Sequence, residues 1–318
     1  MTRPVSAAAP ASVPVGANVA ATAGVVAASL YLFLALPLLL PVAGAALLLA
    51  AVPAVLASVP HWGLIHEAIH GHLLPDRRSN DRLGRLLAVL FGAPYACLRF
   101  GHLSHHALNA RAPERPELYD PTTGSRLRAA LLYYPRLLGG LYLVEVASGP
   151  LSLLARPLLR PLVRRVFYGE AADAGGMAER AERVLLEPRT LAGIRLEALA
   201  VLALLGGSVL LYGEHWPLLA AVLAGRAFLV SFLDNAPHYG GPLADAGQGY
   251  DLAAPAPVRT FVLNANLHGT HHRHPGLPWS ALPAAFEADG RGFDGHYLRW
   301  PWRQLRGPLP LPSAGSRP

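Results

Sequence analysis

The stretch that decides the fold runs from Val19 to His70, VAATAGVVAASLYLFLALPLLLPVAGAALLLAAVPAVLASVPHWGLIHEAIH. No charged residue occurs from Val19 to Val59, a run too long for one spanning helix. Pro37 and Pro41 flank a short leucine stretch inside it. Proline lacks the N–H of the helical ladder and its ring crowds the preceding turn, so the run is expected to divide there. The pattern predicts two transmembrane helices, Val19–Leu36 and Val42–Ile65, folded as a tight hairpin. Helices of about 18–24 residues are long enough to cross a hydrocarbon core of about 30 Å. A secretory signal is the competing reading of the first run, but its apolar stretch is too long and a second follows at once. At the end of the second helix stand His66-Glu67-Ala68-Ile69-His70, whose spacing of four puts both imidazoles on one helix face.

Further along, Leu196–Tyr212 and Pro217–Leu233 form a second apolar pair joined by the short loop Gly213-Glu214-His215-Trp216. Arg226 lies inside the last of these, a position that requires its guanidinium to face the protein interior or a partner. Two weaker apolar stretches, Leu86–Leu98 and Leu127–Ala155, read as interfacial helices, the longer one interrupted by Arg136 and Glu145. Residues 1–18, rich in Ala, Pro and Ser, are expected to be disordered, and the Pro-rich residues 307–318 to form a disordered tail. Residues 19–306 are then one membrane domain. The predicted class is all-α: an integral membrane protein with four transmembrane helices in two hairpins, interfacial helices and a cytoplasmic histidine-rich cap.

The orientation follows from the arginines, which supply all 27 basic residues. The region from His66 to Arg195 carries 18 of them and residues 234–318 carry seven more, while the expected outer turns at 37–41 and 213–216 carry none. By the positive-inside rule both termini and the middle region face the cytoplasm.

Composition narrows the function classes. Over 318 residues, 53% are hydrophobic and 15% charged. The net charge of +7 is interleaved with apolar runs, and no basic stretch alternates with aromatics as a nucleic-acid stacking platform would. Loops meeting anionic lipid headgroups account for it. Cys97 is the only cysteine, so neither an intrachain disulfide nor a thiolate metal site can form. Any metal must be held by nitrogen and oxygen.

Nitrogen is abundant. Besides His66 and His70, the groups His102-Leu103-Ser104-His105-His106 and His268-Gly269-Thr270-His271-His272 each place three imidazoles on one helical face. With 14 histidines in the chain, one H-x-x-H-H pattern is expected by chance only about 0.03 times. The predicted crossings bring all three groups to the same side of the membrane. Eight imidazoles exceed what one ion of four to six ligands takes, so two metals is the natural count. Other readings are an intramembrane zinc metalloprotease, in which Glu67 of H-E-x-x-H is the base, and a structural or storage metal site. The protease reading uses only two of the eight histidines. His61, His72, His215 and His296 read as ordinary core or surface histidines.

The order and spacing of the three boxes resemble the membrane fatty-acid-desaturase superfamily over roughly Trp62 to Pro283. That superfamily includes acyl desaturases and carotenoid ketolases and hydroxylases. Asp120-Pro121 after the second box, and His271-His272-Arg273-His274-Pro275 followed by Leu277-Pro278-Trp279, are similar to features of that group. In that alignment His274 is a neighbour of the site and no ligand. The resemblance implies a ninth metal ligand, His238, in Asp234-Asn235-Ala236-Pro237-His238. Acyl-CoA desaturases carry an asparagine four residues before this histidine; here Asp234 holds that place and Asn235 the next.

What the resemblance implies is a non-haem centre of two iron ions that uses O2 as co-substrate to attack an unactivated C–H bond. The substrate is a lipid or acyl chain drawn from the membrane lipids. Electrons come from a separate ferredoxin- or cytochrome-type donor at the arginine-rich cytoplasmic face. A fatty acyl or lipid desaturase is the expected activity. The segment from His66 to Gly71, with Asn80, Leu83 and Gly84, and Pro237-His238 are similar in layout to carotenoid ketolases, the nearest rival. Glu67, Asp120, Asp234 and Asp251 are candidates to accept the second N–H of ligating imidazoles.

Overall fold

The structure is a computed structural model that describes residues 12–43, 46–109, 111–168, 175–243 and 247–311. Most of the segments expected to be disordered, residues 1–11 and 312–318, lie outside the described residues. Helix α1 (Val15–Leu30) begins behind Pro14 and passes through a π-turn, Tyr31–Ala35, into α2 (Leu36–Ala43). It starts inside the stretch expected to be disordered because buried Asn18 donates to the carbonyls of His72 and Leu73. Pro37 does not end this helix: Val15–Leu39 is one apolar run of 25 residues. A π-turn absorbs the proline, and carbonyls in it find partners outside the helix. The Tyr212 hydroxyl donates to Leu32 O at 2.8 Å and Ser208 Oγ to Phe33 O at 3.4 Å.

The second predicted crossing corresponds to α3 (Ala46–Leu56) and α4 (Ser58–His70). The ladder lapses at Ala57 because Pro60 has no N–H to give to Leu56. Gly71, at φ +85°, ends α4, and His72 N–H closes back onto Glu67 O at 2.7 Å. The next helix, α5 (Arg77–Phe91), is capped by the Asp76 carboxylate on Ser79 N–H. After Gly92 the chain turns through 99° into α6 (Tyr95–Leu108). The predicted interfacial stretch Leu86–Leu98 is therefore a corner between two helices. The stretch Leu127–Ala155 forms α7 (Arg126–Pro135) and α8 (Leu141–Ser152), kinked at Gly139. Leu127, Leu131 and Leu132 stay exposed on α7. An amphipathic pair, α9 (Arg156–Val166) and α10 (Met177–Leu185), is clasped by Arg164 on Glu179 and Glu182.

Helices α11 (Pro188–Tyr212) and α12 (Trp216–Asp234) meet through a 3-10 turn, Gly213–His215, where Gly213 takes φ +53° and ψ −126°. Among the described residues, two helices are long and apolar enough to cross a membrane, Val15–Leu39 and the continuous run Pro188–Asp234, or three if the bent α5–α6 pair forms one span. Arg226 of α12 faces inward, 2% exposed, its guanidinium 5.9 Å from the centre of the Phe91 ring. The remainder of the described chain forms α13 (Ala256–Phe261), α14 (His268–Arg273) and α15 (Leu282–Ala288). Short parallel pairings join β1 (Leu118–Tyr119) to β4 (Leu309–Pro310) and β2 (Leu252–Ala253) to β3 (Gly295–His296). The first of these tethers the start of the segment expected to form a loose tail.

The junction of α4 with α5 fixes the first histidine group. Asn80, fully buried, donates to Ala68 O and accepts from Leu73 N–H and Leu74 N–H. Gly84 lets the helices touch: a Cβ there would sit 2.8 Å from both Ala68 Cβ and the Tyr95 ring. Gly84→Ala should therefore cost about 1–3 kcal/mol through overpacking, read as a lower unfolding midpoint of the detergent-solubilised protein.

Candidate metal centre

Three helices and one turn supply the histidines. His66 and His70 occupy the last turn of α4; His102, His105 and His106 the last two turns of α6; His268, His271 and His272 the single short helix α14. His238 sits in the turn that follows α12, where its N–H closes onto Asn235 O at 3.0 Å. All nine histidines singled out in the sequence are brought together, in two groups. One holds His66, His70, His102, His106 and His271, the other His105, His238, His268 and His272, each with its ring nitrogens within 4.8 Å of one another.

The contacts run Nε2 to Nε2. In the first group His66 lies 2.9 Å from His271, His70 2.9 Å from His102, and His106 3.0 Å from both His102 and His271. In the second, His238 lies 3.1 Å from His105 and 2.7 Å from His268, which is 3.0 Å from His272. The groups adjoin, for the rings of His106 and His272 stack at 4.3 Å. A neutral imidazole nitrogen either donates or accepts, so rings that each face two others through Nε2 cannot all be satisfied by one another. A cation accepts every inward lone pair at once.

The outward nitrogens support that fit. His105 Nδ1 meets Glu114 Oε1 at 3.0 Å and His238 Nδ1 meets Gln248 Oε1 at 3.1 Å. Such acceptors hold the proton on Nδ1 and leave Nε2 free to bind a metal. Burial, followed by repulsion from neighbouring imidazoles, holds His102, His268, His271 and His272 well below the usual histidine range. The same causes lower His70, and hold His106 at about 3. Neutral imidazole is the metal-binding form. His105 is the exception: burial alone would lower it, but the Glu114 carboxylate overcomes that and raises it.

The carboxylates expected behind the histidines divide. Glu67 Oε1 stands 3.5 Å from His66 Nδ1, and Oε2 accepts Trp279 N–H at 3.1 Å. Asp251 touches no ring; it accepts from Thr270 N–H at 2.7 Å and pairs with Arg273 at 2.8 Å, anchoring α14. Asp234 lines two cavities that reach the histidines. Asp120 has no place in the centre: exposed, it accepts from Thr122 N–H and Oγ1 within its own turn. Sequence reasoning missed Glu114, whose other oxygen accepts the Tyr168 hydroxyl, and Gln248. Nothing in their local pattern marks them, since the short 3-10 turn Ala112–Glu114 brings one into place and a loop the other. It also missed Arg115, 2% exposed, which donates to Glu117 and to the His238 carbonyl at 2.7 Å and so holds the His238 turn. Of the histidines read as ordinary, His61 bonds Leu87 O and His72 stacks on His70 at 6.0 Å; His274 pairs with Asp289.

A cavity of about 110 Å³ reaches His66, His268 and His271 between walls that include Trp62, Leu263 and Trp279. The sequence profile described as fatty acid desaturase matches residues 37–304. A mostly helical chain with histidine boxes on helix ends and two long apolar helices belongs, on that match, to the fatty acid desaturase family. The family makes it an oxidoreductase of the desaturase type. No curated protein matches it.

Because Glu114 favours the protonated form of His105, a proton competes with metal at the second group. Raising the pH through and above the ordinary imidazole value of about 6.5 should increase uptake there more steeply than at the first group. Metal titrations of wild type and His272→Ala, by mass spectrometry of the desalted protein, separate the two. Glu114→Gln should weaken the second site by about 10–100-fold.

Proposed function

We propose that this chain is an O2-dependent di-iron membrane enzyme that introduces a double bond into a fatty acyl or lipid chain. The observation that carries the reading is the pair of adjoining all-imidazole groups at the end of an apolar cavity. Imidazole suits iron in both of its common oxidation states and adds no negative charge. The nine histidines are the ligands of this reading: five for one ion and four for the other. An iron pair held there supplies the oxidising power for attack on an unactivated C–H bond, with O2 and two external electrons consumed. The chain's own residues do the rest. Trp62, Leu263, Trp279 and Leu282 line a slot for the hydrocarbon and keep water from it. Glu114 and Gln248 hold ring tautomers, and Arg115 holds the His238 turn.

Four crossings accord with this reading. At 1.5 Å per residue α11 and α12, of 25 and 19 residues, extend about 37 Å and about 28 Å, each close to a hydrocarbon core. The arginine distribution favours a cytoplasmic centre and termini, with a ferredoxin or small cytochrome as the electron donor docking on that face.

Expression in a host without desaturases, followed by lipid and pigment mass spectrometry, tests the reading. The expected outcome is acyl chains lighter by two hydrogens, lost in His106→Ala and His272→Ala. Oxygen added to a carotenoid instead identifies the ketolase or hydroxylase reading, and one zinc per chain in place of iron would exclude both.

A further inference from the structure

The turn between α13 and α14 holds two consecutive left-handed residues, Leu263 at φ +51° and Asn264 at φ +53°. Asparagine tolerates that region; leucine does so against a steric penalty. The surrounding bonds over-determine the turn. Leu263 N–H donates to Thr260 O, Asn264 N–H to Arg259 O, Ala265 N–H to Val262 O, and the Asn264 side chain to Trp279 O. The result is a leucine, 7% exposed, directed at α4 and lining the cavity that leads to His66, His268 and His271.

Opposite it stands Gly63. Along α4, Val59, Gly63 and His66 line the same cavity, as spacings of three and four on a helix require. Gly63 is the one place on that face without a side chain. A Cβ there would lie 3.1 Å from Leu263 Cδ1. The leucine fills a notch about one helical turn, roughly 5.4 Å, from His66. Backbone strain held in place at a functional cavity points to a role for the strained side chain.

We infer that Leu263, seated against Gly63, is the gauge that limits how far a hydrocarbon chain extends past the histidines, and so selects which carbon faces them. The inference rests on the acyl-chain reading above for its ligand, and on the backbone and cavity for its residues. Shortening residue 263 lengthens the accepted chain; adding bulk at 63 shortens it.

The test uses the full chain in detergent and reads binding before turnover. Brominated fatty acids of graded length are titrated while tryptophan fluorescence is followed, since Trp62 and Trp279 line the cavity. Affinity should rise by about fourfold per methylene buried and then level off. Leu263→Gly, a substitution comfortable at positive φ, should move the plateau to longer chains. Gly63→Ala should move it to shorter ones, and Leu263→Ala, which lacks the β-branching that positive φ penalises, gives a second shift toward longer chains should the Gly63→Ala variant fail to fold. In cells making product, Leu263→Gly should displace the new double bond along the chain. A plateau at the same length in wild type and Leu263→Gly overturns the gauge. A shifted plateau in a protein that yields no desaturated lipid upholds it while refuting the acyl-desaturase reading.

Discussion

The structure turns on bringing nine imidazoles into contact with their lone pairs inward and no carboxylate among them. Imidazolium rings at Nε2 separations near 3 Å would repel one another strongly, which favours neutral rings in the cluster. Burial and mutual repulsion enforce that neutrality at most positions. The carboxylate that touches the His105 ring at 3.0 Å, Glu114, is also what moves His105 upward against burial. The protein thus keeps negative charge outside the ring of imidazoles and uses it to aim one of them.

Convergence requires that pieces distant in sequence be locked to one another, and the locks are polar. Glu67, between the two histidines of the first box, accepts the backbone N–H of Trp279 beyond the third. The Trp279 indole N–H in turn donates to Asn18 of α1, whose amide donates to the carbonyls of His72 and Leu73. First box, third box and first membrane helix are joined through these three side chains. A second lock is the buried Arg115–Glu117 pair, 2% and 0% exposed. Burying such a pair costs desolvation that its attraction only partly offsets. Its bonds to the carbonyls of His238 and Gly241 give it a positioning role that an apolar pair could not fill.

Much of this was legible in the sequence because histidine boxes are local: offsets of three and four on a helix end fix relative ring placement with no knowledge of the fold. Even the isolated His238 was reached, through a family pattern. What escaped was anything that depends on partners brought by loops, as with Glu114, Gln248 and Arg115. Asp120 was misplaced for the complementary reason, since its bonds lie within its own turn and its neighbours in sequence say nothing of depth. Prolines misled on helix limits. Pro37 was expected to end a helix and is carried by a π-turn whose carbonyls Tyr212 and Ser208 engage, a remedy supplied from a helix about 170 residues away. Pro60, inside an expected continuous span, is where the ladder lapses.

The two histidine groups are unequal in their surroundings as well as in number. The apolar cavity touches His66 and His271 of the five-membered group and His268 of the four-membered one. A smaller cavity touches His105 and His238 and is lined by Glu114, Arg136 and Asn235 among others. Asp234 alone among the carboxylates lines both. The two cavities reach the histidines through different linings, the first rich in tryptophan and leucine, the second mixing Glu114, Arg136 and Asn235 with Tyr133, Leu137 and Leu141. That difference begins at α12: its last turns present Leu229, Val230 and Leu233 to one cavity and Ser231 to the other, so a single helix end contributes unlike side chains to the two cavities beside the rings.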